Sequence, residues 1–195
     1  MTQSAIRIPK KLGDRAPCCP TKWGKSMVRQ NYENPKGGPP IDMYLFDGGG
    51  ITPSIGIPIT ADRKIIVIEQ FRHGADEVIF EYPGGCPKPG QTPQDVFSHE
   101  LEEETGYKAG AITCLSEQPF WIEPAALTVG CWPFIATNCM LVSKQKLDET
   151  EDIVVHLFPA EEWLDMVLSG KVKCGKTIAI TMLAWRRLQK ILNPD

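Results

Sequence analysis

Hydrophobic and polar positions follow no single period along this chain. In the first third, apolar residues come in short groups separated by Pro35, Gly37, Gly38, Pro39 and Pro40, and again by Gly48 to Gly50. Such punctuation predicts short strands and turns rather than helices. The groups at 41–46 and 55–59 carry β-type residues between these breaks and are expected to form an antiparallel meander. Within 63–71, Ile65, Ile66, Val67 and Ile68 form a continuous apolar run that predicts a buried strand, with 78–82 as its hairpin partner through a turn at 73–77. Thr92 has the chemistry of a helix cap, Pro93 suits the first helical position, Asp95 is placed to complete a capping box, and Gly106 supplies a stop. A helix of about three turns is expected between them. Strands follow at 111–115, 132–136 and 153–158, then amphipathic helices at 159–168 and 178–192, the last with Ala184, Leu188 and Ile191 on one side. This mixture lacks the regular alternation of a doubly wound parallel sheet. No internal repeat is visible and no linker follows residue 60, so the expected organisation is a β-rich extension at 1–55, suited to dimerisation, and one α+β domain at 56–195.

Composition narrows the classes of function. The chain of 195 residues carries 21 basic and 24 acidic side chains, a formal net charge of −3, which speaks against an electrostatic nucleic-acid binder. The seven cysteines are an odd number without C-x-x-C spacing, and read as reduced thiols in a cytosol rather than as a zinc site or disulfide framework. The first residues, MTQSAIRIPKKLG, lack the apolar core of a secretory signal, and no apolar run approaches the ~18 residues that would span a bilayer. The expectation is a soluble cytoplasmic protein with no membrane partner.

The candidate chemistry lies on the helix that Thr92 starts. Residues three and four apart are neighbours on a helix, so Glu100, Glu103 and Glu104 share one face while Phe97 and Leu101 lie on another. A solvated acidic face would tolerate the repulsion, and most charge runs are nothing more. Here, however, Glu81-Tyr82-Pro83-Gly84-Gly85 comes just before the helix, and its two glycines let backbone carbonyls approach a ligand with no Cβ in the way. Oxygen donors from Glu100, Glu103, Glu104 and the Gly84 carbonyl would make a hard, anionic cluster suited to Mg²⁺ or Mn²⁺. Such ions would offset the repulsion, clamp a diphosphate and activate a water.

From Gly85 to Tyr107 the sequence resembles the Nudix box, which reads G, five residues, E, seven residues, R-E-U-x-E-E-x-G-U with U apolar or aromatic. Gly85, Glu100, Leu101, Glu103, Glu104, Gly106 and Tyr107 fall in register, while Gln91 stands where the family has Glu and His99 where it has Arg. The flanking segment IVIEQFRHGADEVIFEYPGG resembles the ADP-ribose pyrophosphatase branch, with Gln70, Phe71, Arg72, Glu81, Pro83 and Gly85 at matching places. LDETEDIVVHLFPAEEW, Gly170 and Thr177 resemble that branch's C-terminal pattern, although Cys174 occupies a place often held by Asp.

The resemblance implies an α/β/α sandwich around a mixed sheet, Mg²⁺-dependent attack of water on the pyrophosphate of a nucleoside diphosphate sugar such as ADP-ribose, and a homodimer contacting through its N-terminal strands. Carried onto this chain, it makes Glu100 and Glu104 metal ligands, helped by the Gly84 carbonyl and by Glu103, which also counts as catalytic. Glu151 matches the place of the base, with Glu149 as its competitor. Arg72 would bind phosphate. The family's Glu–Arg pair braces the metal-binding helix, so Gln91 and His99 either keep that brace as a neutral hydrogen bond or lose it.

Other signals are weighed against this reading. Gly170 to Thr177 satisfies the phosphate-loop pattern G-x-x-x-x-G-K-[ST], but a helix rather than a strand is expected before it. His73 and His156 lack partners at ligand spacing. Trp163 and Trp185 are expected in the core, Trp121 and Trp132 to pack, and Trp23 either to stack on a nucleobase across a dimer interface or to serve packing. Three alternatives stay open: a substrate such as GDP-mannose, a non-catalytic binding module of the same fold, and a phosphate-loop nucleotidase.

Overall fold

A computed structural model describes residues 10–20 and 25–192; Trp23 lies outside them. The chain divides into two compact units, one of residues 1–51 with 123–129 and one of residues 52–122 with 130–195.

In the described part of the first unit, β1 (Lys11–Pro20), β2 (Ser26–Tyr32) and β3 (Ile41–Asp47) form an antiparallel sheet in chain order. Val28 and Leu45 are buried, and Gln30 among them bonds the Gly13 carbonyl at 3.3 Å. Segment 123–129 joins the end of β3: Phe46 N–H donates to Ala126 O, Thr128 N–H to Phe46 O, and the Thr128 hydroxyl to Asp47. That last bond holds the Asp47 carboxyl below its usual range.

In the second unit, β4 (Ser54–Thr60), β5 (Lys64–Arg72), β6 (Glu77–Glu81), β7 (Gly84–Gly85), β8 (Tyr107–Lys108), β9 (Ala111–Cys114), β10 (Phe120–Trp121), β11 (Gly130–Leu141) and β12 (Ile153–Pro159) form one sheet among the described residues. Its central path runs β10-β11-β4-β5-β12. The β4–β11 pair is parallel and the others are antiparallel, so the sheet is mixed as expected. The expected meander of 41–46 with 55–59 is not what forms, because β3 and β4 enter different sheets. The physical reason lies in β4, where six consecutive residues from Ser54 are buried. A strand apolar on both faces belongs in a sheet centre with cover on both sides, and Gly49 and Gly50, at φ 64° and 78°, turn the chain away beforehand.

Helices supply the cover. On one face α1 (Pro93–Thr105) packs Phe97 and Leu101 against Ile66, Phe134, Ala136 and Cys139. On the other, α2 (Ala160–Leu168) and α3 (Gly175–Leu192) pack Trp163, Leu164, Ile180, Ala184 and Leu188 against Ile55, Ile57, Ile59, Ile65 and Val67. The result is the expected α/β/α layering. Helix α3 begins at Gly175, earlier than the periodicity suggested, because Cys174 O already accepts the Ile178 N–H.

Strands β4 and β5 pair only at Ile59–Ile65 and then splay. Into the opening comes the other hairpin arm: β6 pairs with β5, and β7 crosses to pair with β4 through Ser54–Gly85 and Ile55–Gly84. This crossing delivers Gly84 and Gly85 beneath α1. Gly56 allows the helix to lie close, since a Cβ there would stand 2.5 Å from Phe97, whose ring stacks on Phe134 at 5.4 Å. Gly56→Ala is therefore expected to lower unfolding stability by about 1–3 kcal/mol, the usual cost of overpacking. Urea denaturation measures it.

Candidate active site

Helix α1 is fixed at both ends. Thr92 Oγ1 accepts the Asp95 N–H at 3.2 Å, Asp95 accepts the Thr92 N–H at 3.0 Å, and Gly106 closes the helix at φ 76° with its N–H on Glu102 O. With Val96, Phe97 and Leu101 buried against the sheet, the turn bearing Glu100 and Glu104 must face β7.

Glu104 is 4% exposed, and its Oε2 accepts the Gly84 N–H at 2.8 Å. Burial pushes its carboxyl up to about 8, the Gly84 hydrogen bond opposes this, and the charges of Glu100 and Glu151 add to it. Glu100 is pushed up to about 7 by burial, then by Glu103 and Glu151. Its carboxylate fills the place where a Cβ on residue 85 would stand, so Gly85 is a cradle for it. Glu103 is half-buried, with Lys88 Nζ at 3.7 Å. Gly84 contacts this group through its N–H, a role separate from the metal-ligand role expected for its carbonyl.

Among the described residues, no group of three or more His, Cys, Asp or Glu side chains is gathered closely enough to hold a metal by itself. The donor chemistry nonetheless suits a hard divalent cation: every candidate ligand is oxygen, and two partly or fully buried carboxylates are held above their ordinary range by burial and mutual repulsion.

The loop before β12 is tied to the same helix. Lys146 N–H donates to Glu103 O at 2.8 Å, and Gln145 Nε2 donates to Glu104 O at 2.7 Å and Ile153 O at 3.1 Å. Sequence reasoning missed Gln145 and Lys146, and no spacing or periodicity in a polar loop singles them out. Glu151 accepts the Asp148 N–H at 3.0 Å, which steadies an exposed side chain whose charge reaches both Glu100 and Glu104. Glu149 is exposed in the same loop. Arg72 donates its Nε–H to the buried Glu81 while its side chain stays 43% exposed, and its charge lowers the Glu104 carboxyl.

Gln91 and His99 come together. Gln91 Oε1 accepts the Lys88 N–H at 2.8 Å, so Nε2 is the donor to His99 Nδ1, 2.7 Å away. A hydrogen bond thus links the loop before α1 to the middle of the helix.

The phosphate-loop pattern is not used as one. Helix α2 precedes it, Lys173 pairs with Glu77, and Thr177, buried, accepts the Tyr82 N–H at 3.2 Å. Trp163 is buried in the core; Trp185, expected there, is partly buried against the same cluster, and Trp132 packs against the cluster under α1. Trp121, expected to pack, is 61% exposed on the short β10 strand. His156 bonds Glu69 at 2.7 Å, and His73 meets Phe71 edge-on. No helix among the described residues is long and apolar enough to cross a membrane.

Comparison with known proteins agrees with this geometry. The NUDIX domain model matches residues 50–173, and the chain belongs to the Nudix family. Hydrolases of that family generally use a divalent metal. The chain is 34% identical over 122 residues to the ADP-ribose pyrophosphatase of Bacillus subtilis (strain 168), a match covering 62% of this chain and 65% of that one. It is 31% identical over 93 residues to the NAD-capped RNA hydrolase NUDT12 of Pongo abelii, covering 48% of this chain and 19% of that one. The match thus spans less than two thirds of either relative. A crystal structure of an ADP compounds hydrolase superposes with a TM-score of 0.80 at 16% identity, covering 96% of this chain and 97% of that one, and shares the fold.

Because the Glu100 and Glu104 carboxyls are raised to about 7 and about 8, the folded state holds their protons where unfolded glutamates, ionising near 4.5, have released them. Their contribution to stability is full below about pH 4.5 and lost as pH rises to about 8. Melting temperature in chelator is expected to fall over that interval, and Glu104→Gln to flatten the fall; a parallel fall in the variant contradicts it. Gln91→Ala should cost about 1 kcal/mol by urea denaturation, and Gln91→Glu with His99→Arg should restore it.

Proposed function

We propose that the protein is a metal-dependent hydrolase that cleaves the pyrophosphate of a nucleoside diphosphate sugar, with ADP-ribose giving AMP and ribose 5-phosphate. The observation that carries this reading is geometric: in a Nudix chain, the buried Glu104 carboxylate rests on the Gly84 N–H and the Glu100 carboxylate fills the space left by Gly85. Buried acids that repel one another cost stability, and such groups concentrate where chemistry needs them. The name of the Bacillus subtilis relative supports ADP-ribose as substrate.

Glu100, Glu104, Glu103 and the Gly84 carbonyl would hold Mg²⁺, or Mn²⁺ in its place. When bound, the cation would neutralise phosphate charge and make water a better nucleophile. Glu151, tethered at its loop and near enough for its charge to act on Glu100 and Glu104, accepts the proton of the attacking water, with Glu103 assisting. Arg72 turns its guanidinium to the phosphates. Trp23 is assigned to the nucleobase, and the N-terminal strands to a homodimer contact in a cytoplasmic protein.

The test is turnover of ADP-ribose with Mg²⁺, with EDTA, and by Glu104→Gln and Glu151→Gln. Rates should fall about a hundredfold or more without metal or in Glu104→Gln, and about 10²–10⁴-fold in Glu151→Gln. Equal turnover by wild type and Glu104→Gln contradicts the assigned role. GDP-mannose in the same assay separates the two sugar substrates, and ligand binding without turnover would point to a binding module.

A further inference from the structure

Behind Arg72 lies a hydrogen-bonded chain that the proposed function leaves unused. Glu81, at the end of β6, is 4% exposed, and a carboxylate so far from water needs donors on its oxygens. It has one on each: Cys174 donates its thiol to Oε1 at 3.1 Å, and Arg72 donates Nε–H to Oε2. Cys174 is buried in the turn before α3, where burial and the Glu81 charge raise its pKa and keep it protonated as a donor. Two more contacts hold this region: Lys173 Nζ on Glu77 of β6, and the Tyr82 N–H, just after β6, on Thr177 Oγ1 in the first turn of α3. The Glu81 bond uses only the Nε of Arg72. The terminal amino groups keep four of the guanidinium's five N–H donors, on a side chain that stays 43% exposed.

We infer that Glu81 is a positioning residue for Arg72, and that Cys174 holds Glu81 in place, so that the turn before α3 sets the affinity for the substrate's phosphates. The inference rests on Arg72 being the phosphate ligand. An arginine already held through Nε loses less rotamer freedom when an anion binds, and its planar fork arrives aimed. Without Cys174 one oxygen of a buried carboxylate loses its donor, and Glu81 is free to turn from Arg72.

The experiment measures KM and kcat for ADP-ribose with Mg²⁺, and AMP affinity by calorimetry, for wild type, Arg72→Ala, Glu81→Gln, Cys174→Ala, Cys174→Ser and the Arg72→Ala/Cys174→Ala double variant, with thermal melts as a folding control. Glu81→Gln and Cys174→Ala are expected to raise KM about tenfold, the loss of one charge-assisted hydrogen bond, and to move kcat much less. Cys174→Ser keeps a donor and should recover the wild-type KM. The double variant should be no worse than Arg72→Ala alone, because both act through one guanidinium. If Arg72→Ala raises KM while Glu81→Gln and Cys174→Ala do not, the positioning role is overturned and the phosphate role stands. If Arg72→Ala leaves both KM and AMP affinity unchanged, both are overturned. A double variant whose losses simply add also overturns the inference, since Cys174 would then act elsewhere. Should Glu81→Gln fail to fold, the Cys174 variants decide the question alone.

Discussion

A buried carboxylate resting on a backbone N–H, with glycine on the strand below, is the constraint on which the rest of this structure turns. Glu104 sits on the Gly84 N–H, and Glu100 fills the place a Cβ of residue 85 would take. A side chain on residue 84 would meet the backbone of Ser54 and Ile55, so β7 could not then pair with β4. Two acids are thereby held where water cannot fully solvate them, and both are raised well above an ordinary glutamate. Taken alone this is a destabilising arrangement.

The scaffold around it supplies the offset. Helix α1 is capped at both ends and anchored by Phe97 and Leu101, which lie fully buried against Ile66 and Phe134. Its C-terminal carbonyls are engaged by Gln145 and Lys146 from the loop carrying Glu151, and its middle is tied back to the preceding loop by the Gln91–His99 bond. Each contact is worth only on the order of 1 kcal/mol, yet together they leave the acidic turn little room to relax away from the glycines.

Much of this was legible in the sequence, for identifiable reasons. Helix α1 was announced by side chains acting locally, Thr92, Pro93, Asp95 and Gly106, and local hydrogen bonds are what sequence reports best. The shared face of Glu100, Glu103 and Glu104 followed from helical spacing, and the proximity of Gln91 to His99 from the family resemblance. Strand β4 forms where the apolar run places it, but its pairing differs from the expected meander, because such a run says that a strand is buried without saying which neighbour buries it. The Gly84 N–H, the two hydrogen bonds from Gln145 and the Cys174–Glu81–Arg72 chain depend on long-range closure, which no local pattern encodes. Trp121 fails for a related reason: an aromatic in a two-residue strand gives no sign of whether anything covers it.

The parallel pairing of β4 with β11 has a kinetic meaning. It joins Ser54 to Trp132 across a stretch that contains β5, β6, β7 and the whole of α1. The centre of the sheet therefore cannot zip from a neighbouring turn; it must wait for a long loop to close, a search whose entropy is lost before any contact repays it. The acidic helix carries its own caps, whereas the glycines of β7 are seated by pairing with β4, which in turn is held by that long-range pair. The acidic surface therefore owes its completion to chain topology as much as to the helix that carries the acids.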